Sequence, residues 1–196
     1  MSLSLLDWRR QVAALYGRVR DEPDPVAAWT RWRAGREDLL RDHPDSPIRR
    51  GEPLPAYASY DPRLRFELPV LSAPPHRWEA ATATDGVVPF ERVGRVEMPG
   101  LGSLDVWWLG SYGGGVFVPI RDGSSGTTTY GGGRYLIDTV KGADLGGGDR
   151  ALVVDLNFSY NPSCAYDPAW ACPLAPAGNV IAAPVEAGEL APASGH

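Results

Sequence analysis

The apolar residues of this chain change their spacing near residue 63, and that switch constrains the fold more than any other feature of the sequence. Before it they recur every three or four positions; after it they alternate, so helices precede strands. Over residues 4–20, Leu5, Leu6, Trp8, Val12, Leu15, Tyr16 and Val19 make one side of a predicted helix, with Arg9, Arg10, Arg18 and Arg20 on the other. Ser4 stands three positions before Asp7, a capping-box-like start. A second predicted helix, 25–42, opens on Asp24 and Pro25, buries Trp29, Trp32, Leu39 and Leu40, and stops before Pro44 and Pro47. Such a pair is too short to be a stable domain by itself and must pack on something else.

From Leu64 the sequence reads as strands. Leu64, Phe66, Leu68 and Val70 alternate with Arg65, Glu67 and Pro69, and further strands are expected near 78–84, 87–97, 104–110, 115–121, 128–130 into 134–140, and 151–160. The separators are turn signals: Asp85-Gly86, Pro99-Gly100, Gly113 to Gly115, Asp122-Gly123 and Gly146 to Gly148. No gap accommodates a crossover helix, which argues against a parallel, dinucleotide-binding sheet. The expected fold is therefore mainly β, an antiparallel barrel- or sandwich-like core with two N-terminal helices packed on it. Residues 1–50 form the helical pair and 51–196 the β domain, within one structural domain overall. After residue 161 six prolines predict an extended strap over the sheet, frayed beyond Glu189.

Composition excludes whole classes of function. With 43% hydrophobic and 22% charged residues the chain is globular, and no run of apolar residues is long enough for a membrane helix. Residues 1–66 carry 12 Arg against 10 acids and residues 67–196 carry 7 basic groups against 14 acids, so no excess of positive charge exists to neutralise phosphates. Neither nucleic acid nor membrane is expected as a partner, and homo-oligomerisation is not indicated. The N-terminus lacks the pattern of a secretory signal, which makes the cytoplasm the expected address. Cys164 and Cys172 are then expected as thiols rather than a disulfide.

The familiar catalytic patterns are missing: there is no G-x-G-x-x-G, G-x-S-x-G or H-E-x-x-H. His43, His76 and His196 are scattered, leaving no metal cluster and no expected cofactor. Two stretches do stand out. One runs from Arg121 to Leu136 and ends in TYGGGRYL; after DTVKGADLG comes the other, DLNFSYNPSCAY with CPL beyond it. These runs resemble the bacterial domain-of-unknown-function family 1684, and the DWRR, WRAGRE and HPDSP segments resemble its actinobacterial members. Ser163 stands where that family's usual pattern has a second proline. The resemblance implies no established activity, substrate or cofactor.

Read from the residues, this region carries a candidate polar site. Strict alternation over 151–160 places Leu152, Val154, Leu156, Phe158 and Tyr160 on one face. Val153, Asp155, Asn157 and Ser159 then fall on the other face, successive members about 7 Å apart. If the flanking strands pair as a hairpin, Arg134 approaches Asp155, and Gly132 and Gly133 expose backbone N–H groups beside them. Tyr130, Tyr160 and Asn161 complete the candidate set for an anion or a carboxylate ligand. Other readings stand beside it. Arg134 and Asp155 can be a buried structural pair, Asp155 can be the general base of a hydrolase, or the chain can be an interaction module. Cys164 and Cys172, with no histidine nearby, are a candidate thiol site.

Overall fold

A computed structural model describes residues 3–82, 86–110 and 112–193. Helix α1 (Leu3–Asp21) and helix α2 (Pro25–Asp42) occupy the predicted spans. Asp24 caps α2 as expected, its carboxylate accepting the Val26 N–H at 3.0 Å. Leu15, Tyr16 and Val19 of α1 and Trp29, Trp32 and Leu39 of α2 share one core with Ala143, Leu145 and Phe158 of the β region. The apolar sides of the two helices thus pack on the strands and on each other.

Seven antiparallel strands follow. Strands β2 (Arg77–Thr82), β3 (Gly86–Met98), β4 (Gly102–Leu109), β5 (Val116–Ile120) and β6 (Arg134–Asp138) form a five-stranded meander in chain order, curled into a half-barrel. Strands β1 (Arg65–Pro69) and β7 (Ala151–Asp155) pair separately. The main apolar core, with Leu68, Val96, Leu104, Val118, Leu136 and Val154, lies between the two sheets. A bridge from Leu71 to Arg95 joins them at the point where β3 bulges. Gly94 permits this approach, because a Cβ there would stand 2.5 Å from the Leu71 carbonyl oxygen. The chain is mainly β with two N-terminal helices. Among the described residues no helix is long and apolar enough to cross a membrane.

The Pro-rich segment does cross the sheet. Asn179, fully buried, donates to the carbonyls of Asp105 and Pro119 at 2.9 Å each and accepts from Trp107 Nε1 at 2.8 Å, clipping β4 to β5. The expected fraying after Glu189 is not found through Ala191. Leu190 N donates to Ala56 O at 2.8 Å and Ala191 N to Thr128 O at 3.0 Å.

Three local expectations are corrected. Residues 128–130 are not a strand, because Ser124 O accepts three successive N–H groups, Thr127 to Thr129, and winds that stretch into a tight turn. Strand β7 stops at Asp155, whose carboxylate accepts the Asn157 N–H at 3.0 Å and starts a 3-10 turn over Leu156–Phe158. The alternation over 151–160 therefore breaks, and 154–159 are buried on every side. Finally β6 and β7 do not form a hairpin. Each pairs elsewhere, β6 with β5 and β7 with β1. The end of the expected strand 78–84, and Asp85 of the Asp85-Gly86 turn, lie outside the described residues.

Candidate functional site

Because β6 and β7 belong to different sheets, Arg134 and Asp155 do not meet. Arg134 pairs with Asp122 at 2.9 Å, both side chains fully buried. The same guanidinium donates to the carbonyls of Val185 at 2.8 Å, Glu189 at 3.2 Å and Ala187. Asp122 Oδ1 accepts from Ser124 Oγ and from the backbone N–H groups of Ser124 and Val185. Burial pushes the Asp122 carboxyl up, but these donors and the Arg134 charge outweigh it and hold it below the usual carboxylate range. Arg134 is thus a strut between β6 and the strap, closed to ligands. Gly133, with φ +88°, lies against the Ile120 carbonyl, and Gly132 beside the Tyr130 ring.

Asp155 is equally committed. Its Oδ1 accepts both N–H and Nδ2–H of Asn157, at 3.0 and 2.8 Å, and its Oδ2 accepts from Tyr60 OH at 3.3 Å. Burial raises its pKa more than those bonds lower it. Asn157 in turn ties down Asp61 through its backbone N–H and C=O. Both residues hold a turn together.

A partly open cavity, mostly apolar with a few polar groups, lies elsewhere, between the helical pair and the half-barrel. It holds about 80 Å³ and is bordered by Trp8, Val12 and Tyr16 of α1, Arg36 and Leu40 of α2, Tyr135 of β6, and Lys141, Tyr160, Asn161 and Cys172. A larger groove, formed along Asp7, Gln11, Asp38 and Asp42, is an open furrow between the two helices. Behind Arg36 and Asn161 of the cavity wall, Glu189 is fully buried and accepts five hydrogen bonds. Two come from Arg36, with Nη2 at 3.1 Å, and three from Tyr57 OH at 3.1 Å, Tyr166 OH at 2.9 Å and Asn161 N at 2.7 Å. Burial pulls the Arg36 pKa down, yet the Glu189 carboxylate more than restores it, so the pair is ionised. The Arg36 guanidinium lies over the Tyr160 ring, 4.7 Å from its centroid.

Two polar groups on the wall are less committed. Asn161 Oδ1 is buried without a hydrogen-bond partner among the described residues, while its Nδ2 donates to Leu190 O at 2.8 Å. Lys141, the single lysine of the chain, keeps its side chain half exposed, with Nζ 3.4 Å from Asp138 Oδ2. The Asp138 charge raises the Lys141 pKa, so the ammonium stays charged. Burial pushes the Tyr16, Tyr135 and Tyr160 phenols up as well, keeping them neutral.

The two cysteines meet at the outer wall. Both are free, and Tyr130 OH donates to Cys164 Sγ at 3.9 Å. The neighbouring Cys164 pulls the Cys172 thiol down to about 6 against the opposing effect of burial, helped by the Lys141 charge. Cys172 pushes Cys164 up in turn, and burial brings Tyr130 to about 12.

The separated motifs TYGGGRYL, DTVKGADLG and DLNFSYNPSCAY thereby converge on one place through Tyr135, Lys141 and Tyr160. Residues 53–190 match the family described as a protein of unknown function, DUF1684. The chain belongs to this family. No curated protein matches it. Among solved structures, an uncharacterized protein of Haloarcula marismortui, determined by solution NMR, is 30% identical. That likeness covers 82% of this chain and 92% of that one, with a TM-score of 0.56. The DUF1684 match begins after the helices, so α1 and α2, which bring Tyr16 and Arg36 to the cavity, lie outside it.

Of the residues expected to bind a ligand, the structure brings Tyr160 and Asn161 to the cavity and places Tyr130 one contact behind it, against Cys164. Gly132, Gly133, Arg134, Asp155 and Asn157 do not line it. Of the two thiols, Cys172 lines the cavity and Cys164 backs it. Sequence reasoning missed Arg36, Lys141 and Glu189. A lone lysine in an arginine-rich chain, and an acid within an Ala- and Pro-rich tail, were the signals for two of them.

Proposed function

We propose that this protein binds a small organic acid, a carboxylate with a neighbouring hydroxyl, in the cavity between the helical pair and the half-barrel. The observation that carries this reading is the pairing of a charged donor with an unpartnered acceptor on one wall. Lys141 borders the cavity with Nζ 3.4 Å from Asp138 Oδ2 and 6.0 Å from the Tyr135 ring centroid, and Asn161 Oδ1 has no hydrogen-bond partner among the described residues. Arg36 does not supply that charge, because Glu189 already neutralises it. It supplies rigidity instead, fixing Asn161 through their shared carboxylate. The ring faces of Tyr16, Tyr135 and Tyr160 offer apolar surface for a short carbon chain. A volume of about 80 Å³ accommodates roughly half a dozen water-sized groups, which limits the ligand to a three- or four-carbon acid.

The test compares lactate with propionate, which differ by the hydroxyl that would donate to Asn161 Oδ1. Thermal unfolding in each acid should show a larger stabilisation by lactate, approaching about 2.7 kcal/mol at a hundred times its Kd. Equal responses to the two acids, or no response to either, would remove the reading.

A further inference from the structure

We propose that Cys172 and Cys164 form a dithiol site that reduces small hydroperoxides, with Cys172 as the attacking sulfur and Cys164 as the resolving one. The inference does not depend on the organic-acid reading. It rests first on position. Cys172 borders the cavity, where a molecule the size of a short hydroperoxide has access, whereas Cys164 sits behind it on the 3-10 turn Ser163–Ala165. It rests next on proximity, since each sulfur is the first influence on the acidity of the other. The surroundings then separate their roles. Lys141, which borders the same cavity, favours negative charge on Cys172, while Cys164 keeps its proton beside the Tyr130 hydroxyl. A sulfur of this kind is a thiolate near neutrality and remains nucleophilic.

The chemistry balances with a hydroperoxide as oxidant. The Cys172 thiolate attacks the terminal oxygen of R–O–O–H and the O–O bond breaks. The departing alkoxide takes a proton from water to give R–OH, and Cys172 becomes a sulfenic acid. Cys164 then attacks the sulfenic sulfur. The S–S bond forms, the S–O bond breaks, and the Cys164 proton leaves with the hydroxyl as water. Two electrons have passed from the sulfurs to the peroxide. Exchange with two equivalents of an external thiol restores the reduced pair.

The experiment titrates the full-length reduced chain with stoichiometric hydrogen peroxide and with tert-butyl hydroperoxide, followed by intact mass and thiol count. Wild type should lose both thiols to an intramolecular disulfide. Cys164→Ser should stop at a sulfenic acid on Cys172 that a carbon nucleophile traps. Cys172→Ser should react at least about tenfold more slowly. Circular dichroism confirms that both variants are folded before the rates are compared. Equal rates in the two variants would overturn the proposal. So would first oxidation at Cys164, or a wild-type rate no faster than that of the urea-unfolded chain.

Discussion

Two of the arginines buried against carboxylates in this molecule, Arg134 and Arg36, have surroundings that differ in a way that separates scaffold from site. Arg134 and Asp122 are wholly enclosed, and the two terminal nitrogens of Arg134 also donate to three backbone carbonyls of the strap, while its buried Nε has no hydrogen-bond partner among the described residues. Arg36 and Glu189 are also buried, but one side of Arg36 faces Tyr160 and the cavity, with its side chain 14% exposed. A buried ion pair is therefore no marker of function by itself. What distinguishes the second pair is the adjoining space, which Arg36, Asn161 and Lys141 border; an unbonded buried atom by itself does not, since Arg134 Nε is one too. The first pair fastens the strap to β6; the second braces the wall of a cavity.

The largest effect should come from breaking the enclosed pair. Arg134→Met leaves Asp122 as an uncompensated buried charge and releases the strap carbonyls, which should cost about 3–5 kcal/mol in chemical denaturation. Glu189→Gln keeps one acceptor oxygen for five donors and should cost less, about 2–3 kcal/mol, because Arg36 can still turn toward the cavity and its water. If the second loss equals or exceeds the first, the distinction between a closed strut and an open brace fails.

A smaller effect sharpens the contrast between Asp155, the expected partner of Arg134, and Asp122, its actual one. Asp122 is held below the usual carboxylate range, so its contribution to stability is present above the unfolded value, near 4, and is lost as pH falls through its lower folded value. Asp155 is raised by burial, so its charged form opposes folding at neutral pH, and that penalty disappears as pH falls through its folded value. Asp122→Asn should therefore destabilise near neutrality. Asp155→Asn, which keeps an oxygen for the Asn157 cap, should leave the protein at least as stable as wild type there, and any gain should fade in acid. Denaturation midpoints measured across this range decide the matter, and a loss at neutral pH on Asp155→Asn would contradict the assignment.

Much of the fold was legible in the sequence. Both helices and the positions of all seven strands follow from the period of the apolar residues and the glycine- and proline-marked turns between them. What alternation could not show was where a strand ends for a side-chain reason. Asp155 is compatible with a strand until its carboxylate folds back onto Asn157 N, and from there the expected faces no longer apply. Nor could spacing choose partners. Adjacency in the chain argued for β6 beside β7, while the structure assigns β7 to β1, across more than eighty residues of sequence. The candidate site shifted for the same reason. Tyr160, Asn161 and the cysteines were found because their own segment stood out, whereas Arg36 and Glu189 reach the cavity from opposite ends of the chain. Contacts of that separation leave no local pattern.

The smallest effect on stability is expected where the effect on binding should be greatest. Lys141 is half exposed and its one ion pair, with Asp138 at 3.4 Å, is open to water. Lys141→Gln should thus change the unfolding free energy by no more than roughly 0.5 kcal/mol, since solvent screens the charge that remains on Asp138. The same change removes the cation that would hold the carboxylate and should abolish the lactate response. Arg134→Met provides the opposite control: a weakened fold in which lactate still binds at temperatures where the protein remains native. Because the chain has no other lysine, an amine-directed reagent offers a direct second readout, with lactate slowing modification of Lys141 while the N-terminal amine serves as internal reference. Protection of Lys141 in wild type, together with an unchanged fold and no lactate response in Lys141→Gln, places the ligand in the open cavity. If Lys141→Gln keeps its lactate response, the charge that holds the acid lies elsewhere, and the contrast between the two buried pairs no longer predicts where this protein meets its ligand.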